Sequence, residues 1–137
     1  MEVNINILTT QFNELGEKNV IKSNTTGTLY QKKDHKYIIY KEKQDGDEIT
    51  TSLKIETDKV TIKRFGALNS TLVFKEGKVD TSSYITPQGA FVIENHTNKL
   101  SILDKDNDIL IDIDYDIKVM DMFAGKNLIN IKIKENN

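Results

Sequence analysis

The chain predicts an all-β fold, an antiparallel up-and-down barrel of about eight to ten strands. Three observations carry this. Apolar residues recur at every second position, the apolar runs are rich in β-branched and aromatic residues, and turn-forming residues interrupt them at short intervals. No stretch keeps the i, i+3, i+4, i+7 spacing of an amphipathic helix.

Val3, Ile5 and Ile7 open the chain as a half-buried strand, and Gly16 marks the first turn. Turn signals follow at Asp34, Asp45-Gly46-Asp47, Thr57-Asp58, Gly66, Glu76-Gly77, Pro87-Gln88-Gly89, Asp104 to Asp108 and Ala124-Gly125. Late in the chain, Ile109, Ile111, Ile113, Tyr115, Ile117 and Val119 alternate with polar residues, as do Ile129, Ile131 and Ile133. Connections this short exclude parallel crossovers, so consecutive strands pair as a meander, and a sheet of that width curls to remove its edges. The last two strands carry their inward residues at odd numbers, which demands an odd loop. Phe123 to Gly125 fits, and it sets Ile117 opposite Ile131, Asp116 opposite Lys132 and Asp114 opposite Lys134.

Composition bounds the rest. The 137 residues, 37% hydrophobic and 29% charged, suit one globular domain over 1–137, with no repeat or linker to divide it. Cysteine is absent, so disulfides and thiolate metal sites are excluded and a cytoplasmic location is expected. The N-terminus lacks a basic leader and no apolar run reaches membrane-spanning length, so neither export signal nor membrane partner is expected. A net charge of −2 argues against nucleic acid as a partner. Lys32, Lys33, His35, Lys36, Lys41 and Lys43 form a local basic stretch that reads as solvated turn and edge residues.

Few residues point to chemistry. Asp104, Asp106 and Asp108 begin like a calcium loop, but Ile109 and Tyr115 stand where it needs glycine and a closing glutamate. Asp112, Asp114 and Asp116 share one face opposite the apolar one, which places them outside, without the shielding that acid–base work requires. His35 and His96 belong to different hairpins and have no cysteine beside them. No strand-turn-helix context positions a nucleophilic serine. No catalytic residue, metal or cofactor is therefore assigned.

One constellation survives, from strand register. Asp45-Gly46 predicts a two-residue hairpin turn, which sets Gln44 opposite Asp47 and Tyr40 opposite Thr51. A turn displaced by one residue sets Glu42 there instead, on the same face. A turn at Thr57-Asp58 pairs Ile55 with Val60, and Arg64 then faces Thr51. Arg64, Thr51 and either Tyr40 or Glu42 thus form a polar row on the inner face, with Arg64 expected within ion-pair reach of Glu42. Such a row either closes on itself as a structural network or offers the guanidinium fork to an anionic head group, whose apolar tail lies along Ile38, Leu53, Ile55 and Ile62.

The segments Thr26-Gly27-Thr28-Leu29-Tyr30, Tyr40-Lys41-Glu42, Thr51-Ser52-Leu53-Lys54-Ile55, Ile62-Lys63-Arg64-Phe65-Gly66 and Thr86-Pro87-Gln88-Gly89 resemble, in order and spacing, the YwiB-like bacterial family of unknown function. The resemblance implies a calycin-like barrel related in shape to lipocalins, and no activity. The chain has no Trp, so the Gly-x-Trp hallmark of lipocalins is missing, and Phe12 to Lys18 is too short for the helical lid of fatty-acid-binding proteins. Three readings follow in order: a non-enzymatic module for a small amphipathic or anionic ligand held by Arg64, Glu42, Thr51 and Tyr40; a side-chain-filled barrel that docks a protein partner or a second copy; and a hydrolase-like enzyme.

Overall fold

The computed structural model describes residues 1–44, 46–66, 69–86, 89–106, 108–120 and 122–136. Asp45, the Pro87-Gln88 turn and Asn107 lie outside the described residues. Among the described residues the elements are ten strands: β1 (Glu2–Asn13), β2 (Lys18–Gln31), β3 (Lys36–Gln44), β4 (Asp47–Ile55), β5 (Val60–Gly66), β6 (Ser70–Phe74), β7 (Val79–Thr86), β8 (Gly89–Lys105), β9 (Asp108–Val119) and β10 (Met122–Glu135).

Alternation drives this outcome. Val3, Ile5, Ile38, Leu53, Val60, Ile111, Ile131 and Ile133 are each no more than 1% exposed, while their chain neighbours face outward. A two-layer core cannot form from one sheet, so the sheet bends until its apolar face meets itself. Phe74 of β6 crosses the interior to pack its ring on Tyr115 of β9, with centroids 4.7 Å apart.

The strand order, β6-β5-β4-β3-β2-β1-β10-β9-β8-β7, is a meander closed by the pairing of the first and last strands. The ladder is interrupted between β6 and β7, although these strands are consecutive in the chain. Their connection is clipped to β8 instead: Gly77 N donates to Thr97 O at 2.9 Å and Thr97 N to Lys78 O at 3.1 Å. The Asp80 carboxylate accepts from Val73 N at 3.2 Å, so a side chain spans the seam. The barrel is nearly closed.

Two further departures come from bulges. Val119 pairs with Met122, a tighter turn than the three-residue loop expected from parity. A register shift between Phe123 and Gly125 restores the parity, so Ile131 faces Ile111 and Gly125, not Ile131, faces Ile117. The expected pairs of Asp116 with Lys132 and Asp114 with Lys134 do not form. Lys126 serves both carboxylates, at 3.5 Å to Asp114 and 3.8 Å to Asp116. The second shift, between Thr97 and Lys99 of β8, exchanges which residues face inward along that strand.

β2 pairs with β1 down to Lys18 but with β3 only over Gly27–Gln31, so the two strands part above Gly27. At Gly27 an added Cβ would lie 2.7 Å from Ile39 O and 3.0 Å from Tyr40 Cβ. We expect Gly27→Ala to destabilise the fold by about 1–3 kcal/mol in urea unfolding, because backbone must move to admit a methyl group. By contrast Lys126→Ala, which removes a partly exposed ion pair, is expected to cost about 1 kcal/mol or less in the same measurement.

Candidate functional site

The ladders place Tyr40 opposite Thr51 and Thr51 opposite Arg64, as a two-residue turn around Asp45-Gly46 requires. The row extends beyond what the sequence reading reached. Gly27 and Val3 continue it on one side and Ser70 on the other, so it crosses β1 to β6. Tyr40 is 4% exposed and Thr51 fully buried, whereas Arg64 is half-buried. Arg64 shares its face with the buried Ile62, which fixes it on the inner side of the sheet.

Glu42 lies one step further along β3, opposite Ile49, and accepts a hydrogen bond from Thr51 Oγ1 at 3.4 Å. The expected Arg64–Glu42 ion pair is not among those formed by the described residues. Register is the reason: with Tyr40 in the row, Glu42 is displaced diagonally from Arg64, and Thr51 and Tyr40 stand between them. The Arg64 Nε is buried without a hydrogen-bond partner.

The Tyr40 phenol records this environment. Burial chiefly, and then the nearby Glu42 carboxylate, push its pKa up to about 12, while the Arg64 charge and the Thr51 hydroxyl pull the other way. Arg64 also lines a surface groove of about 460 Å³ at the seam, together with Ser70, Thr71, Val73, Asp80 and Thr81. The guanidinium therefore stands between a buried polar row and a groove open to solvent. The apolar residues expected to carry a ligand tail are packed into the core, with Ile38, Leu53, Ile55 and Ile62 between 0% and 6% exposed.

Other candidates disperse. Among the described residues no group of three or more His, Asp or Glu side chains could hold a metal ion. His35 packs edge-on against Tyr37 at 4.9 Å, and His96 Nε2 lies 3.9 Å from Glu94. Asp112 accepts from Asn130 at 2.6 Å on the outer face. In the basic stretch, Lys36 is bound to Asp104 at 2.7 Å. The sequence reading missed Ser70 and Asp80 because the first needs the β5–β6 register, which Gly66 marks as a turn without fixing a loop length, and the second needs the seam, which is a gap in the ladder.

Stability at alkaline pH reports on the row directly. Tyr40 ionises near pH 10 in the unfolded chain and near 12 in the fold, so its contribution is complete below pH 10 and is lost as pH rises to 12. Stability of the wild-type chain should fall across that window by about 2–3 kcal/mol more than that of Tyr40→Phe, as measured by urea unfolding at each pH. Equal slopes for the two proteins would contradict the buried placement.

Comparison with known proteins adds fold and family but no activity. The model of a domain of unknown function, DUF1934, matches residues 5–131. An uncharacterized beta-barrel protein, YwiB of Bacillus subtilis (strain 168), is 30% identical over 107 residues, which are 77% of this chain and 75% of that protein. The crystal structure of the ywiB protein from Bacillus subtilis superposes with a TM-score of 0.88 at 21% identity, covering 99% of this chain and 92% of the other. No helix among the described residues is long and apolar enough to cross a membrane.

Proposed function

We propose a non-enzymatic binding role for this chain, which belongs to the DUF1934 family of proteins of unknown function. Its ligand is a small anionic or amphipathic molecule, taken from the cytoplasm, whose charged head group meets Arg64 at the seam between β6 and β7. The observation that carries this reading is the buried Arg64 Nε without a partner, on a half-buried cation that borders an open groove. A guanidinium so placed has lost part of its hydration without an ion pair among the described residues, and a carboxylate or phosphate in the groove offsets that loss. Thr51, which faces Arg64 across the ladder, Tyr40 beyond it and Glu42 bound to Thr51 form the polar wall behind the side chain. Because the core is filled beneath them, an amphipathic ligand lays its apolar part along the groove rather than inside the barrel.

The test is a set of thermal melts with inorganic phosphate, acetate and octanoate, each on the wild type and Arg64→Leu. An anion that binds the fold raises the wild-type Tm with concentration and leaves Arg64→Leu unmoved. Without ligand, Arg64→Leu should change stability by less than about 1 kcal/mol or increase it, since it removes an unpaired, half-buried charge. A loss of about 3–5 kcal/mol in the apo protein, with no anion raising the wild-type Tm, would show a structural role instead.

A second reading rests on a different observation. Above Gly27 the β3-facing edge of β2 has no ladder partner among the described residues, and Val20 and Ile21 there are 45% and 47% exposed. An edge of this kind can pair with a second copy of the chain. Sedimentation that shows a dimer dissociated by Val20→Lys would favour it.

A further inference from the structure

Two opposite charges border the groove at the β6–β7 seam, Arg64 from β5 and Asp80 from β7. No other charged residue lines it among the described residues. Asp80 stands on the inner face, since its ladder partner Asn95 is 1% exposed. One of its carboxylate oxygens accepts from Val73 N at 3.2 Å, which fixes the side chain in the gap between the two strands.

Neither charge is answered by the protein. Among the described residues Arg64 and Asp80 take part in no ion pair, with each other or with a third group. The ladder shows why they stay apart. Arg64 faces Ser70, whereas Asp80 is tied to Val73, three residues further along β6, which is about 10 Å of strand. Between them lies the groove of about 460 Å³, with hydroxyls from Ser70, Thr71 and Thr81 and an apolar wall from Phe65 and Val73.

Resting on the assignment of this seam as the ligand site, we infer that the ligand is a zwitterion, a small amino acid that carries an ammonium and a carboxylate together. Its carboxylate takes the Arg64 fork, and its ammonium donates to the Asp80 carboxylate. Charge selects the class. A plain anion gains Arg64 but is repelled by Asp80, an amine alone meets the reverse, and a neutral molecule leaves both charges unanswered. An ionic contact of about 2.8 Å at each end leaves room in that span for the few atoms that join the two groups of an amino acid.

Backbone amide chemical shifts followed at neutral pH during titration with acetate, methylamine, glycine and 4-aminobutyrate test the inference. The two amino acids differ in the spacing of their charges, so the tighter one reads the span. Saturable shifts should appear at Ser70, Thr71, Val73 and Thr81, with an affinity for one amino acid about tenfold above that for acetate. Asp80→Asn should erase this margin by weakening the amino acid and tightening acetate. The amide oxygen can still accept from Val73 N, and acetate binding by the variant shows that its groove is intact. Where the variant is too unstable to titrate, the wild-type margin over acetate decides. Acetate binding as tightly as both amino acids, or an amino-acid margin retained in Asp80→Asn, would overturn the zwitterion and leave the anion reading standing. No shift at the seam with acetate or either amino acid would overturn both.

Discussion

The barrel depends on the way β2 is shared. β1 holds β2 from Lys18 to Thr28, but β3 joins it only from Gly27 to Gln31, where a glycine lets the two backbones approach beside Tyr40. Below that point the inner faces meet and an apolar core forms. Above it the sheet splits and the inner side chains Asn19 and Ile21 become exposed. A meander of ten strands has enough width to close, yet here it closes fully by neither route: β2 parts from β3, and β6 meets β7 through the Asp80 side chain instead of a ladder.

Polar groups gather where closure fails, and energetics explains why they are tolerated there. In the filled part of the barrel an unpaired guanidinium or amide would cost several kcal/mol. At the seam, solvent reaches the Arg64 end of the row while Thr51 and Tyr40 stay buried. Arg64 is placed in this way, with its Nε buried and its groove open. Tyr40 behind it, with a phenol pKa near 12, remains neutral across the physiological range and can donate without adding charge.

How much of this was legible follows from how far each pairing reaches along the chain. Tyr40, Thr51 and Arg64 fell into one row because two short hairpins, each with its own turn signature, carry the register from β3 to β5. Glu42 is an alternative to Tyr40 in the sequence because Asp45-Gly46 admits two turn placements, and that one-residue ambiguity decides whether it meets Arg64. The β9–β10 register failed for a different reason. A bulge between Phe123 and Gly125 corrects the parity that a three-residue loop was expected to supply, and nothing local in the chain announces it. The inner-face alignment of Thr97, Tyr115, Asn127 and Gln11 was invisible for both reasons at once: Thr97 is placed beside a bulge in β8, and Gln11 meets Asn127 across the pairing of the two chain ends.

Hydrogen exchange of the β2 amides measures the central claim, that the sheet parts at Gly27. Amides of residues 18–26 that point away from β1 should exchange at nearly the rate of an open strand, while those of 27–31 that point to β3 should be protected by orders of magnitude. Uniform protection along the β3-facing side from Lys18 to Gln31 would contradict the account, since it would mean that another strand covers the mouth.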